Sequence, residues 1–286
     1  MRFASFEHQG RAAYGVISGS DVIDLAAVRD WPYPDLRSLL GGWSPAVRAS
    51  IANCVAPCIP VSEVRWRPVI PNPDKIICVG LNYHSHVTET NRTVLEHPVL
   101  FLRLANCQIG HMQPLICPAV SRQLDFEGEI AVVIGQGGRH ISPTAALRHV
   151  AGYSIYNEAS VRDWQHHTHQ FTAGKNFMGT GAFGPWLVTA DEIPEPRDLS
   201  LVTRLNGRVM QQGNAAELMF SIEQLIAYIS TMTALVAGDV IVTGTPAGVG
   251  ALRKPPVWMQ QGDIVEVEVN RIGVLRNPVQ HEAPPA

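Results

Sequence analysis

Three acidic side chains, Glu127, Glu129 and Glu158, carry most of the chemical information in this chain. Two fall in the run Leu-Asp-Phe-Glu-Gly-Glu-Ile-Ala-Val-Val-Ile-Gly (124–135), the third in Tyr-Asn-Glu-Ala-Ser-Val-Arg-Asp-Trp-Gln (156–165). Ile130, Val132 and Val133 favour a pleated backbone, so the first run reads as a strand. Alternation then points Glu127 and Glu129 the same way, with Asp125 one step further back. Like charges stacked on a mostly apolar strand are costly unless a cation or protons neutralise them. All the candidate ligands are oxygens, which suits a hard divalent cation.

His86 and Glu89 are three apart and share a face on a helical turn. A carboxylate beside an imidazole fixes its tautomer and raises its basicity. Such a pair can take a proton from water or from an activated carbon. Around it Asn82, Ser85, Thr88, Thr90 and Asn91 are poor helix formers in isolation. Lys175 lies between Gly174 and Asn176, where small neighbours let a ligand approach the backbone. Arg162 and Gln165 share a helical face, and Asp163 reads as structural, paired with Arg162 or capping a turn.

Other signals carry less. Gly179 to Gly184 matches the dinucleotide fingerprint in form, but Pro185-Trp186 follows at once and a strand comes next. His166, His167 and His169 invite a zinc reading, but neighbouring histidines do not easily converge from a helix, and no acid lies at a metalloprotease spacing. Ser154 and Ser160 lack the strand–turn–helix context of a hydrolase nucleophile.

The elements that must position these groups are mostly strands. Phe3–Phe6 and Ala13–Val16 flank Gln9-Gly10; Leu36–Cys54 has helical spacing broken by Gly41 and Gly42. Prolines 57, 60, 68, 71 and 73 then mark a linker. Residues 1–70 therefore read as a small N-terminal unit with its linker, and 71–286 as the catalytic domain. In the latter, Lys75–Val79, Val99–Leu102, Val240–Val242 and Ile264–Val269 are predicted strands, the last with its glutamates facing water. Asn206-Gly207 predicts a hairpin. Ser142-Pro143 predicts a helix to Val150, and the Ser221/Gln224 capping box another, with Ile222, Leu225, Ile226 and Ile229 on its apolar stripe. The fold class is α+β or mostly β with a few packed helices; the strand–helix alternation of a doubly wound fold is missing.

The 286 residues carry a net charge of −3 and no Lys/Arg cluster, which argues against a nucleic-acid partner. No apolar run reaches membrane-spanning length, and the N-terminus lacks the apolar core of a secretory signal. The odd set of five cysteines reads as free thiols of a cytoplasmic protein.

Five motifs in order resemble the fumarylacetoacetate hydrolase family: Lys75 to Glu89, the Asp-x-Glu-x-Glu strand, Asn-Glu-x-Ser-x-Arg-Asp-x-Gln, Gly174-Lys175, and Gly244-Thr-Pro-Ala-Gly-Val-Gly250. The resemblance implies a rolled mixed β-sheet, a small N-terminal domain, a homodimer, and Mg²⁺ or Mn²⁺ at Glu127, Glu129 and Glu158, with Ca²⁺ able to take that place in crystals. The family usually has Asp at the last position, so Glu158 is a departure. It also implies catalytic roles for His86 and Glu89 on a segment that orders over the substrate, and for Lys175 facing an oxyanion or enolate. Arg162, Gln165 and Thr245 match positions that orient substrate.

The expected activity is metal-dependent C–C hydrolysis of an acylpyruvate, such as maleylpyruvate or fumarylpyruvate, in aromatic-compound breakdown. The same site would serve oxaloacetate decarboxylation, 2-oxo-dienoate isomerisation or hydration, or enol tautomerisation; a non-catalytic metal-binding scaffold is the remote alternative. Arg103, Asn106, His111 and Phe177 are candidate contacts for the substrate tail.

Overall fold

The computed structural model describes residues 1–90 and 95–283. Asn91 lies outside them. Among the described residues twelve strands join in one mixed sheet and five in a second. The centre of the large sheet is Gly128–Ile134, buried along its whole length. It pairs antiparallel with Val150–Glu158 on one side and Val240–Val242 on the other. Val240–Val242 runs parallel to Ile76–Gly80, which pairs with the edge strand Val99–Arg103. On the far side Val150–Glu158 pairs with Gly181–Thr189, and that strand takes up Arg2–His8. The N-terminal hairpin, turning through Gln9 and Gly10 at positive φ, thus extends the same sheet.

Alternation along Gly128–Ile134 sorts its side chains between two cores. Ile130, Val132 and Ile134 face Leu201, Val265, Val267 and Leu275 of the second sheet. Ala131 and Val133 face the core built with Phe3, Leu36 and Leu39. The second sheet runs Arg208–Asn214, Ser200–Leu205, Ile264–Val269, Gly273–His281, Leu115–Cys117. Its hairpin turns through Asn206 and Gly207, both at positive φ, as that dipeptide prefers. Val265, Val267 and Val269 are buried, while Glu266 and Glu268 reach outward to Arg276 and Arg204.

The helix Ile222–Met232 carries the full capping box, with Ser221 and Gln224 exchanging hydrogen bonds, and buries Ile222, Leu225, Ile226 and Ile229. The expected helix after Ser142 is instead 3₁₀ over Pro143–His149. The Ser142 hydroxyl contacts Thr144 rather than capping the turn, and N-terminal capping is therefore weak. The 3₁₀ segment packs on Ile222–Met232. No described helix is long and apolar enough to cross a membrane. All five cysteines are free.

The topology also decides where chemistry can occur. The C-terminal ends of Ile76–Gly80, Val240–Val242 and Val150–Glu158 meet the N-terminal end of Gly128–Ile134. Three loops leave this end: 81–90, 243–251 and 159–175.

Candidate active site

Glu129 belongs to Gly128–Ile134, and Glu158 ends Val150–Glu158. Glu127 lies just before the first strand, where the predicted continuous strand is broken. Leu124–Asp125 pairs separately with Ser160–Val161, and Phe126 and Glu127 bridge the two ladders. The break is held by side chains: Asn157 Oδ1 accepts the Glu127 N–H at 3.1 Å, and Gln211 Oε1 accepts the Gly128 N–H at 3.0 Å. The Glu158 N–H donates to the Glu127 carbonyl at 2.8 Å.

One oxygen from each of Glu127, Glu129 and Glu158 falls within 4.8 Å of the others, and all three residues are buried. The Lys175 ammonium lies among them, 2.5 Å from Glu127 Oε2 and 2.9 Å from Glu158 Oε2. Glu158 Oε1 is buried with no hydrogen-bond partner. Three carboxylates around one ammonium leave excess negative charge in a buried site. Burial, then the charges of Glu158 and Glu127, push Glu129 well above the usual carboxylate range. Burial raises Glu158 too, against the pull of Lys175. Burial also opposes ionisation of Glu127, yet Arg162 and then Lys175 hold it well below its ordinary value. An all-oxygen set with an orphaned carboxylate oxygen and unbalanced charge fits a hard divalent cation. Glu127, Glu129 and Glu158 would hold it, and it would supply Lewis acidity toward a substrate oxygen.

These side chains line a cavity of about 210 Å³ together with His86, Arg162, Gln165, His166, Lys175 and Thr245. Phe101, Phe171, Val79, Val249 and Leu252 add apolar wall. His86 sits on the helix His84–Glu89, already formed, with its Nδ1 3.3 Å from Glu89 Oε2. The Glu89 carboxylate accepts the Gly248 N–H, and Ser85 Oγ accepts the Ala247 N–H. The helix is thereby clamped to the 243–251 loop. His84 points to solvent.

That loop spends its backbone on the site's carboxylates. Gly244 N–H donates to Glu129 Oε2 at 2.5 Å. Gly244 has φ 106°, so the loop needs a residue without a Cβ there. The Thr245 hydroxyl donates to the Gly128 carbonyl at 2.9 Å and accepts from Gln211 Nε2 at 2.8 Å, so it is committed within the protein. Arg162 is likewise engaged: Nε on Asp125 Oδ2 at 2.8 Å, Nη2 2.6 Å from Glu127 Oε1, Nη1 on Gln165 Oε1 at 2.9 Å. Asp163 turns to Ser121 Oγ and the Trp164 N–H rather than to Arg162.

Sequence reasoning did not anticipate the supporting polar residues. Asn82, fully buried, ties Phe220 and Thr243 to the start of the His86 helix. Gln211 comes from the second sheet, and only its polarity within an otherwise alternating strand could have marked it. Of the four candidate tail contacts none lines the cavity. Arg103 is buried on Ala159 and Thr180, and Phe177 packs edge-on against Trp164. His111 packs against Trp66, and Asn106 opens into a different cleft. The fingerprint-like 179–184 stretch runs into the strand Gly181–Thr189, not a helix.

Comparison with known proteins agrees with this architecture. The family profile described as fumarylacetoacetate (FAA) hydrolase C-terminal matches residues 75–280. The chain belongs to the fumarylacetoacetate hydrolase family. One relative in that family is the mitochondrial oxaloacetate tautomerase FAHD2A of Bos taurus, 41% identical over 98% of this chain and 91% of its own length. Among solved structures, a fumarylacetoacetate hydrolase from Exiguobacterium antarcticum superposes with a TM-score of 0.86 at 36% identity, covering 99% of this chain and all of that one. A maleylpyruvate hydrolase from Sphingobium sp. SYK-6, solved with manganese(II) and pyruvate, does so at 0.80 and 27% identity, with the same coverage. Glu158 keeps its side chain buried beside Lys175.

Proposed function

We propose that this chain is a divalent-metal-dependent enzyme of enol chemistry on small 2-oxo acids, and that its reaction is keto–enol conversion of an oxaloacetate-type substrate. The observation that carries the reading is the pairing of His86, braced by Glu89, with a cavity whose other lining groups include three carboxylates and Lys175. The 41% identity to an oxaloacetate tautomerase along nearly the whole chain supports the choice of reaction. The cation would be Mg²⁺ or Mn²⁺; the manganese in the maleylpyruvate hydrolase relative supports the second.

In the keto-to-enol direction His86 takes the proton from the carbon beside the ketone. The C–H electron pair becomes the C=C bond, the C=O π pair moves to the former ketone oxygen, and that oxygen takes the proton back from the His86 imidazolium, which restores the neutral ring. Glu89 keeps the imidazole oriented and compensates the imidazolium that forms. Lys175 faces the developing negative oxygen. The apolar wall of Phe101, Phe171 and Val249 excludes water from the intermediate. The direct test follows the ultraviolet absorbance of enol oxaloacetate, with Mn²⁺-loaded protein and again after EDTA. Decay no faster than in buffer would end the proposal.

Hydrolysis of an acylpyruvate is the second reading. The same histidine dyad can activate a water, and the maleylpyruvate hydrolase relative supports it. Release of pyruvate from maleylpyruvate or fumarylpyruvate distinguishes the two reactions.

A further inference from the structure

Asp125 is two residues before Glu127 and yet is not one of the clustered carboxylates. The ladder break at Phe126–Glu127 turns it the other way, into a wholly buried pocket of donors. Oδ1 accepts the N–H groups of Phe126 at 2.8 Å and Gly250 at 2.7 Å. Oδ2 accepts the Ala251 N–H at 3.0 Å and Arg162 Nε at 2.8 Å. The approach to Gly250 needs glycine there: a Cβ would overlap the Val257 carbonyl and come within 2.6 Å of Asp125 Oδ1.

Four donors on one carboxylate fix it in place, and its fixed charge fixes Arg162 in turn. A planar guanidinium held at Nε has little freedom to swing its other nitrogens. Nη2 is therefore set 2.6 Å from Glu127 Oε1. That ion pair faces Glu127 Oε1 and leaves Oε2 as the oxygen turned toward Lys175. Ala251, held by the same carboxylate, is part of the cavity wall.

We propose that Asp125 is a positioning residue of the cation site: through Arg162 it selects which Glu127 oxygen faces the cation, and through Gly250 and Ala251 it locks the adjoining wall. The inference rests on the cation site proposed above. Asp125 does not touch the cation or the substrate; its effect travels through Arg162.

The test is a double-mutant cycle read by calorimetric titration of Mn²⁺ into the EDTA-stripped chain. Asp125→Asn keeps the shape but turns an NH₂ toward donors. It is expected to weaken Mn²⁺ binding at least tenfold in the wild-type background and less than twofold in Arg162→Gln. The Mn²⁺ paramagnetic resonance spectrum should change between wild type and Asp125→Asn. An equal loss of affinity in both backgrounds would overturn the proposal, because a charge or packing effect does not need Arg162. If Asp125→Asn alone does not fold, the Asp125→Asn/Arg162→Gln pair, which removes both buried charges together, is expected to fold and bind like Arg162→Gln; its failure to fold would also overturn it. A wild-type chain that binds no Mn²⁺ overturns both this role and the cation site.

Discussion

His86 Nδ1 lies 3.3 Å from Glu89 Oε2, and the same carboxylate receives the Gly248 N–H at 3.0 and 3.1 Å. Glu89 therefore joins His86 to the loop whose Gly244 N–H holds Glu129. His86→Ala should lower kcat by about 10²–10⁴-fold, the usual contribution of a positioned general base. Glu89→Gln keeps the Gly248 hydrogen bond but loses the charge that favours the imidazolium. Its loss should fall mainly on kcat, with KM and Mn²⁺ affinity nearly unchanged. A Glu89→Gln protein with wild-type kcat would remove the dyad from the mechanism.

Glu158 is the ligand candidate with one oxygen lacking any partner. Its removal takes a third of the site's carboxylates and frees Lys175 from one of its two ion pairs. Glu158→Ala should abolish measurable Mn²⁺ binding and, with it, activity. In wild type, Mn²⁺ at a hundred times its Kd should stabilise the fold by about 2.7 kcal/mol, and thermal shift should lose that increment in the variant. Oxalate, whose paired oxygens resemble those of an enolised 2-oxo acid, should add a further shift in wild type only when Mn²⁺ is present. Equal Mn²⁺ affinities in the two proteins would exclude Glu158 as a ligand.

Much of the fold was legible because its signals are local. Asn206-Gly207 specifies its turn through two positive φ angles, and Ser221 with Gln224 caps the helix that follows from within one turn. The direction of Asp125 was not legible. Strand alternation would put it on the face of Glu127, but the ladder breaks between them, and the groups that hold the break, Asn157 and Gln211, are 30 and 83 residues away from the N–H groups they bind. Thr245 and Arg162 show the same limit. Both line the cavity, and the sequence did not show that Gly128, Gln211, Asp125 and Glu127, from distant segments, also engage them. The contact between His86 and Glu89 was readable since three residues of spacing contain it.

Gly128 separates two of the clustered glutamates, and the second sheet presses directly on it. A Cβ there would collide with Thr203 Oγ1 and lie 3.0 Å from Val267 Cγ1. Both neighbours are buried on strands of that sheet. Gly128→Ala should destabilise the fold by about 1–3 kcal/mol, the common cost of overpacking, measured by urea unfolding. Adding Thr203→Ala should recover part of that loss. It should not recover Mn²⁺ affinity fully, because Val267 still displaces the backbone between Glu127 and Glu129. An unchanged unfolding midpoint for Gly128→Ala would show that the two sheets are not in the tight contact described.

His111 gives the protein a stability slope in mildly acidic solution. Its Nδ1 accepts the Arg276 N–H at 3.1 Å, which requires a neutral ring, and the ring packs edge-on against Trp66 at 5.5 Å. Burial, then the nearby charge of Arg276, lower its pKa from 6.5 to about 4. Between those values the unfolded chain binds a proton that the folded chain refuses. Stability from this residue is therefore complete above pH 6.5 and declines as pH falls toward 4. The window from about pH 6.5 to 5 is the cleanest, since ordinary carboxylates begin to titrate below it. His111→Asn can offer Oδ1 to the same N–H and carries no titrating proton. Urea midpoints measured with EDTA present should fall from pH 6.5 to 5 more steeply in wild type than in His111→Asn. Parallel slopes in the two proteins would show that the imidazole accepts its proton in the folded state as readily as in the unfolded one.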